Sequence, residues 1–161
     1  MTFEFPELEI ENVQDYPRPP IVEAVPQRIR IELSQLTIVD TVNAVRVLET
    51  HHPPTYYIPL ADVECDIIPV PGTSFCEWKG VARYFDLRAG SVSASRAAWC
   101  YEKPVSSFSS IRDCFAFYAT KMDSCFVGET RVDPQAGTFY GGWITPNLRG
   151  MPKGAPGTEF W

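Results

Sequence analysis

Positive charge is scarce in this chain. Lys and Arg number 14 against 20 Asp and Glu, a formal net charge of −6. A nucleic-acid-binding face normally announces itself as a basic excess, so that class is set aside. Long apolar runs are also missing. The longest runs from Cys114 to Ala119, six residues, where a membrane-spanning helix needs about 20. The first residues, Met1-Thr2-Phe3-Glu4-Phe5-Pro6-Glu7, are acidic where a secretory leader would be basic. No Asn-x-Ser/Thr sequon occurs. Together these absences predict a soluble, cytoplasmic protein that binds neither nucleic acid nor membrane.

Metal- and cofactor-binding signatures are equally thin. The 2 histidines, His51 and His52, are adjacent, and the 5 cysteines contain no Cys-x-x-Cys pair. Neither a disulfide framework nor a structural zinc site is supported. No Gly-x-Gly-x-x-Gly, P-loop, His-Glu-x-x-His or Gly-x-Ser-x-Gly is present. The sequence therefore predicts no cofactor and no metal.

What remains is a chain of 161 residues, 45% apolar, long enough for one well-formed core. It carries 4 Trp, 7 Tyr and 10 Phe, more rings than a small core requires. The 10 Gly and 15 Pro argue against long helices. Three zones follow: a proline-rich acidic arm over 1–27, a periodic domain over 28–132, and a Gly- and aromatic-rich tail over 133–161 packed on that domain. Residues 28–33 alternate polar and apolar, as a half-buried strand does. Further strands are predicted at 36–40, 55–59, 65–70, 75–87, 97–101, 115–119 and 125–132, rich in β-branched and aromatic residues. Short helices are predicted at 42–48 and 108–113. The fold class is mainly β, an antiparallel sandwich or open barrel with one or two short helices.

Several segments mix rings with isolated charges. Asp15-Tyr16-Pro17-Arg18-Pro19-Pro20 holds Arg18 on a stiff backbone. His51-His52-Pro53-Pro54-Thr55-Tyr56-Tyr57, followed by Asp62, offers an imidazole, phenols and a carboxylate for proton handling. Tyr56 and Tyr57 face opposite sides of any strand, so at most one of them lines a given pocket. Cys76-Glu77-Trp78-Lys79-Gly80-Val81-Ala82-Arg83-Tyr84 places a lysine in what reads as mid-strand, costly to bury unless paired. In an unbroken strand, Lys79 would share a face with Glu77 and Arg83. Trp99 and Tyr101 share one face, and the tail adds Phe139, Tyr140, Gly141, Gly142, Trp143, Phe160 and Trp161. Aromatic walls with a few charges are how small-molecule sites are built.

These segments, in this order, resemble domain-of-unknown-function family 427, found in bacteria and fungi. The likeness rests on Tyr16-Pro17-Arg18-Pro19-Pro20, on Leu48-Glu49-Thr50 with His52 to Pro59 and Asp62-Val63, on Cys76, Lys79-Gly80, Ala82 and Tyr84, and on Trp99, Tyr101 and Pro104. Phe117-Tyr118 and Val127-Gly128-Glu129 fit as well. The glycine-rich tail resembles an extension of fungal-type members. The resemblance implies a β-tent-like architecture, shared with methionine-R-sulfoxide reductases and the cereblon ligand-binding domain. The zinc and the catalytic cysteine of those relatives do not carry over. By analogy with the cereblon cage, Trp78, Tyr84, Trp99 and Trp143 would surround a ligand.

The sequence thus predicts a pocket for a small organic molecule, with cofactor-independent acid/base chemistry of the isomerase, cyclase or lyase type on a metabolite, in fungal secondary metabolism. Lys79 and Arg18 would hold an oxyanion, Asp62 or His52 would move a proton, and Tyr56 or Tyr57 would assist. Tyr16, Tyr84, Trp99, Tyr101 and Trp143 would complete the binding surface beside Trp78. Two alternatives stand beside it. One is a non-catalytic ligand- or peptide-binding module. The other is a structural protein whose tail aromatics anchor a homodimer.

Overall fold

A computed structural model describes residues 7–135 and 140–152. The chain begins with β1 (Glu11–Asn12), β2 (Ile21–Ala24), β3 (Ile29–Leu33), β4 (Leu36–Thr41), β5 (Val45–Leu48) and β6 (Thr55–Pro59). The long strands β7 (Asp66–Cys76), β8 (Gly80–Ala89) and β9 (Val92–Cys100) follow, then β10 (Cys114–Phe117) and β11 (Ser124–Val127). Short pieces close it: β12 (Thr130–Arg131), β13 (Asp133–Pro134), β14 (Trp143–Ile144) and β15 (Leu148–Arg149). The fold is mainly β, built on two antiparallel sheets that do not close into a barrel. The seven-stranded sheet has the order β2-β5-β6-β10-β9-β8-β7, and the four-stranded sheet the order β12-β11-β3-β4.

The period-2 alternation of strands explains how these sheets bury their rings. One face of the large sheet, with Tyr56, Ile58, Phe85, Leu87, Ala98, Phe115 and Phe117, packs on Ile29, Ile31, Leu33, Ile38 and Val39 of the small sheet. The interleaved residues Tyr57, Tyr84, Trp99, Tyr101 and Ala116 point the other way and form a second cluster with Phe108 and Ile111. The large sheet is therefore apolar on both faces, and among the described residues no other sheet covers the second. The loop after β9 and the chain end supply that cover.

The structure departs from the sequence reading at four places. Residues 75–87 are not one strand. Cys76 pairs with Gly80 across a turn formed by Glu77, Trp78 and Lys79, so β7 and β8 are a hairpin. Gly80 takes φ +117°, which a side chain rarely allows, and this is what lets the chain reverse. Lys79 therefore shares no strand face with Glu77 and Arg83. Residues 42–48 contain strand β5 instead of a helix, because Val45 and Val47 find partners on β2 and β6. Thr41 Oγ1 there accepts from the backbone N–H of Asn43 and donates to Asp62. Residues 106–111 form only a 3-10 segment, kinked at Phe108 and without a side-chain cap. Finally, the N-terminal arm supplies β2, an edge strand of the large sheet. Among the described residues no helix is long and apolar enough to cross a membrane.

Candidate functional site

On the second face of the large sheet lies a cavity of about 220 Å3. The sheet provides its floor: Tyr57 from β6, Tyr84 from β8 and Trp99 from β9, with Tyr101 just beyond. The β7–β8 turn forms one side and presents Trp78 and Lys79 together. Consecutive residues line one cavity here because they sit in a turn; in a strand they would diverge.

Lys79 is the residue of most interest. It is 8% exposed. Its Nζ lies 5.8 Å from the centre of the Tyr101 ring and 5.9 Å from that of Phe108. Among the described residues it forms no ion pair. Aromatic faces attract a cation but do not replace a counter-charge.

Several phenols line the same cavity. Burial pushes the hydroxyls of Tyr57, Tyr101 and Tyr118 well above the ordinary tyrosine value, so they stay neutral. The Tyr84 and Ser74 hydroxyls are hydrogen-bonded, 2.7 Å apart. Arg96 stacks over Tyr84 from outside, 4.3 Å from the ring centre. Glu49 adds a carboxylate to the cavity wall. Its Oε2 lies 3.8 Å from His52 Nε2, and the His52 ring meets Tyr140 edge-on at 5.1 Å. A cation, neutral donors and a carboxylate around one small volume can bind an oxygen-bearing molecule and move a proton on it.

Of the residues singled out from sequence, Lys79, Tyr57, Trp78, Tyr84, Trp99 and Tyr101 line this cavity. The others lie elsewhere. His52 stands behind Glu49 rather than on the wall. Asp62 sits in the 3-10 turn after β6, accepting from Thr41 Oγ1 at 2.7 Å. Tyr56 takes the opposite face of β6 and stacks on Trp143 in the main core. Trp143, 1% exposed, is a core residue of its own chain and does not line the cavity. Tyr16 donates to Glu11 at 2.6 Å, in a cluster with Arg46. Arg18 is exposed beside a cis peptide bond to Pro19 and does not line the cavity. Phe139, Phe160 and Trp161 lie outside the described residues.

Sequence reasoning missed Glu49, Tyr118 and Gln135. Glu49 carried a signal, standing three positions before His52 in a charged-aromatic segment. Gln135 carried none, since only the return of the chain brings it to the cavity.

The sequence profile of the family described as Domain of unknown function (DUF427) matches residues 21–128. The chain belongs to that family. A search of curated proteins returns no match. The matched region contains the cavity floor, the β7–β8 turn and Glu49; Gln135, Tyr140 and Gly141 lie beyond it. Among the described residues no group of three or more His, Cys, Asp or Glu is placed to hold a metal ion.

Proposed function

We propose that this cavity binds a compact conjugated molecule carrying a carbonyl or carboxylate oxygen, and catalyses proton transfer on it without a cofactor. The observation that carries the reading is Lys79: a lysine only 8% exposed, on the wall of an aromatic cavity, with no ion-pair partner among the described residues. A buried cation lacking its counter-charge is costly, and a ligand oxyanion would supply one.

The chemistry follows from the groups present. Glu49 takes a proton from the carbon next to a carbonyl. The electron pair moves onto the carbonyl oxygen, where the Lys79 ammonium and a neutral phenol hold the enolate. Glu49, now protonated, returns the proton to another carbon. The net change is an isomerisation, and nothing else is consumed. His52 sits behind Glu49 and orients it. The free thiols fit a reducing cytoplasm.

A second reading, binding without turnover, draws on the ring-rich wall of Tyr57, Trp78, Tyr84, Trp99 and Tyr101. Phenylpyruvate in D2O separates the two. The acid/base reading expects deuterium exchange at its benzylic carbon, accelerated at least about 100-fold over buffer. Lys79→Met and Glu49→Gln should each abolish the acceleration. Saturable binding without exchange leaves the binding module; no binding at all ends both.

A further inference from the structure

The chain end completes the cavity from outside the family-matched region, and its placement is tightly determined. Trp143 donates its backbone N–H to the Pro54 carbonyl at 2.9 Å and its indole N–H to the Phe117 carbonyl at 3.0 Å. Gly142 donates to Gln135 Oε1 at 3.0 Å. A Cβ at Gly142 would stand 2.7 Å from that oxygen and 2.8 Å from the Pro53 carbonyl, so only glycine fits. Gly141 lies flat against the site: a Cβ there would meet Trp99 Cη2 at 2.2 Å and Tyr118 Cδ1 at 3.2 Å. Trp99 and Tyr118 are themselves packed at 4.6 Å. The backbone at 141 thus presses on two wall rings, and Tyr140, one residue earlier, lines the cavity with its ring edge-on to His52.

We propose that Tyr140, held in place by this anchored segment, is the specificity residue that sets the size of ring the pocket admits. The ligand class is an aromatic or conjugated carboxylate, its ring bounded by Tyr140 and its oxygen on Lys79. This rests on the reading of the pocket given above. The anchors after Tyr140 are the close contacts of Gly141, the Gly142 bond to Gln135 and the two Trp143 hydrogen bonds, none of which uses the Tyr140 side chain, so replacing that side chain enlarges the cavity and leaves them in place. A family-matched floor with an unmatched wall places shared chemistry on the first and ligand choice on the second.

The test compares benzoate and 2-naphthoate, titrated calorimetrically into the full chain, Tyr140→Ala, Tyr140→Leu and Lys79→Met. Tyr140→Ala should raise the ratio of naphthoate to benzoate affinity at least about tenfold, with Tyr140→Leu between. Lys79→Met should weaken both probes. In the unaltered chain, bound naphthoate should give nuclear Overhauser contacts to the Tyr140 ring, a readout that does not depend on any variant folding. An unmoved ratio in a folded variant, or absent ring contacts, overturns the role of Tyr140 and leaves the pocket standing. Absence of saturable binding by both probes, or indifference to Lys79→Met, overturns the pocket reading and this inference with it.

Discussion

Trp143 stacks on Tyr56 with ring centroids 5.0 Å apart and planes 26° from parallel. One ring belongs to the family-matched region and the other lies beyond it. The contact ties the chain end into the main core, and it explains why Tyr56 is unavailable to the cavity that its neighbour Tyr57 lines.

That contact can be weighed directly. Trp143→Ala removes a fully buried indole together with its hydrogen bond to Phe117. It should cost about 3–5 kcal/mol of stability. Urea unfolding monitored by circular dichroism measures this; an unchanged midpoint would show that the segment does not belong to the folding unit.

A second prediction concerns pH. Arg46 donates to both carboxylate oxygens of Glu11, at 3.0 and 2.7 Å, and Tyr16 adds a third bond at 2.6 Å. Burial alone would raise the Glu11 carboxyl, but these bonds and the Arg46 charge hold it below its ordinary value of 4.5. A carboxyl lowered in the folded state stabilises the fold above that value, and the contribution disappears as pH falls through the lowered one. Glu11→Gln should therefore cost about 1–3 kcal/mol at pH 7. The gap from the parent chain should shrink steadily between pH 5 and pH 2. A gap independent of pH would rule out the carboxylate as its source.

The thiols give a third. Burial pushes Cys125 and Cys100 up to about 12 and Cys65 up to about 11, and it raises Cys114 as well. Cys76 is half-buried and opens on the cavity. Iodoacetamide near pH 8 should label Cys76 first, since burial leaves the other four with little thiolate and Cys76 is reached through the cavity. Saturating benzoate should slow that labelling. Peptide mass spectrometry reads the order, and earlier labelling at Cys65 would contradict it.

Much of this was legible in the chain because strand alternation is a local property. Tyr56 and Tyr57 had to face opposite ways, and Trp99 and Tyr101 the same way, as soon as their segments were read as strands. The β7–β8 turn was less legible. Glu77-Trp78-Lys79 contains no turn-forming pair, and a glycine within a run of strand-forming residues also fits a bulge. The run at 42–48 has helix-compatible composition, and only its cross-strand partners β2 and β6 make it a strand. Asp62 and Arg18 looked like site residues because they neighbour aromatic segments in sequence. In space their side chains are directed away from the cavity, Asp62 to Thr41 and Arg18 to the surface.

The sequence by itself determined a mainly β chain, the family to which it belongs, and which rings share a face. Those follow from residue order, and from a period that neighbouring residues impose on one another. Which of those faces became a cavity was decided only by the tertiary structure. The hairpin turn carries Lys79 over Tyr101, Glu49 arrives from the end of β5, and the chain end lays Gly141 on Trp99. Each of these meetings joins residues far apart along the chain. Their proximity is the outcome of packing two sheets and a returning segment around shared apolar surface, a sum over the whole fold that no local pattern contains.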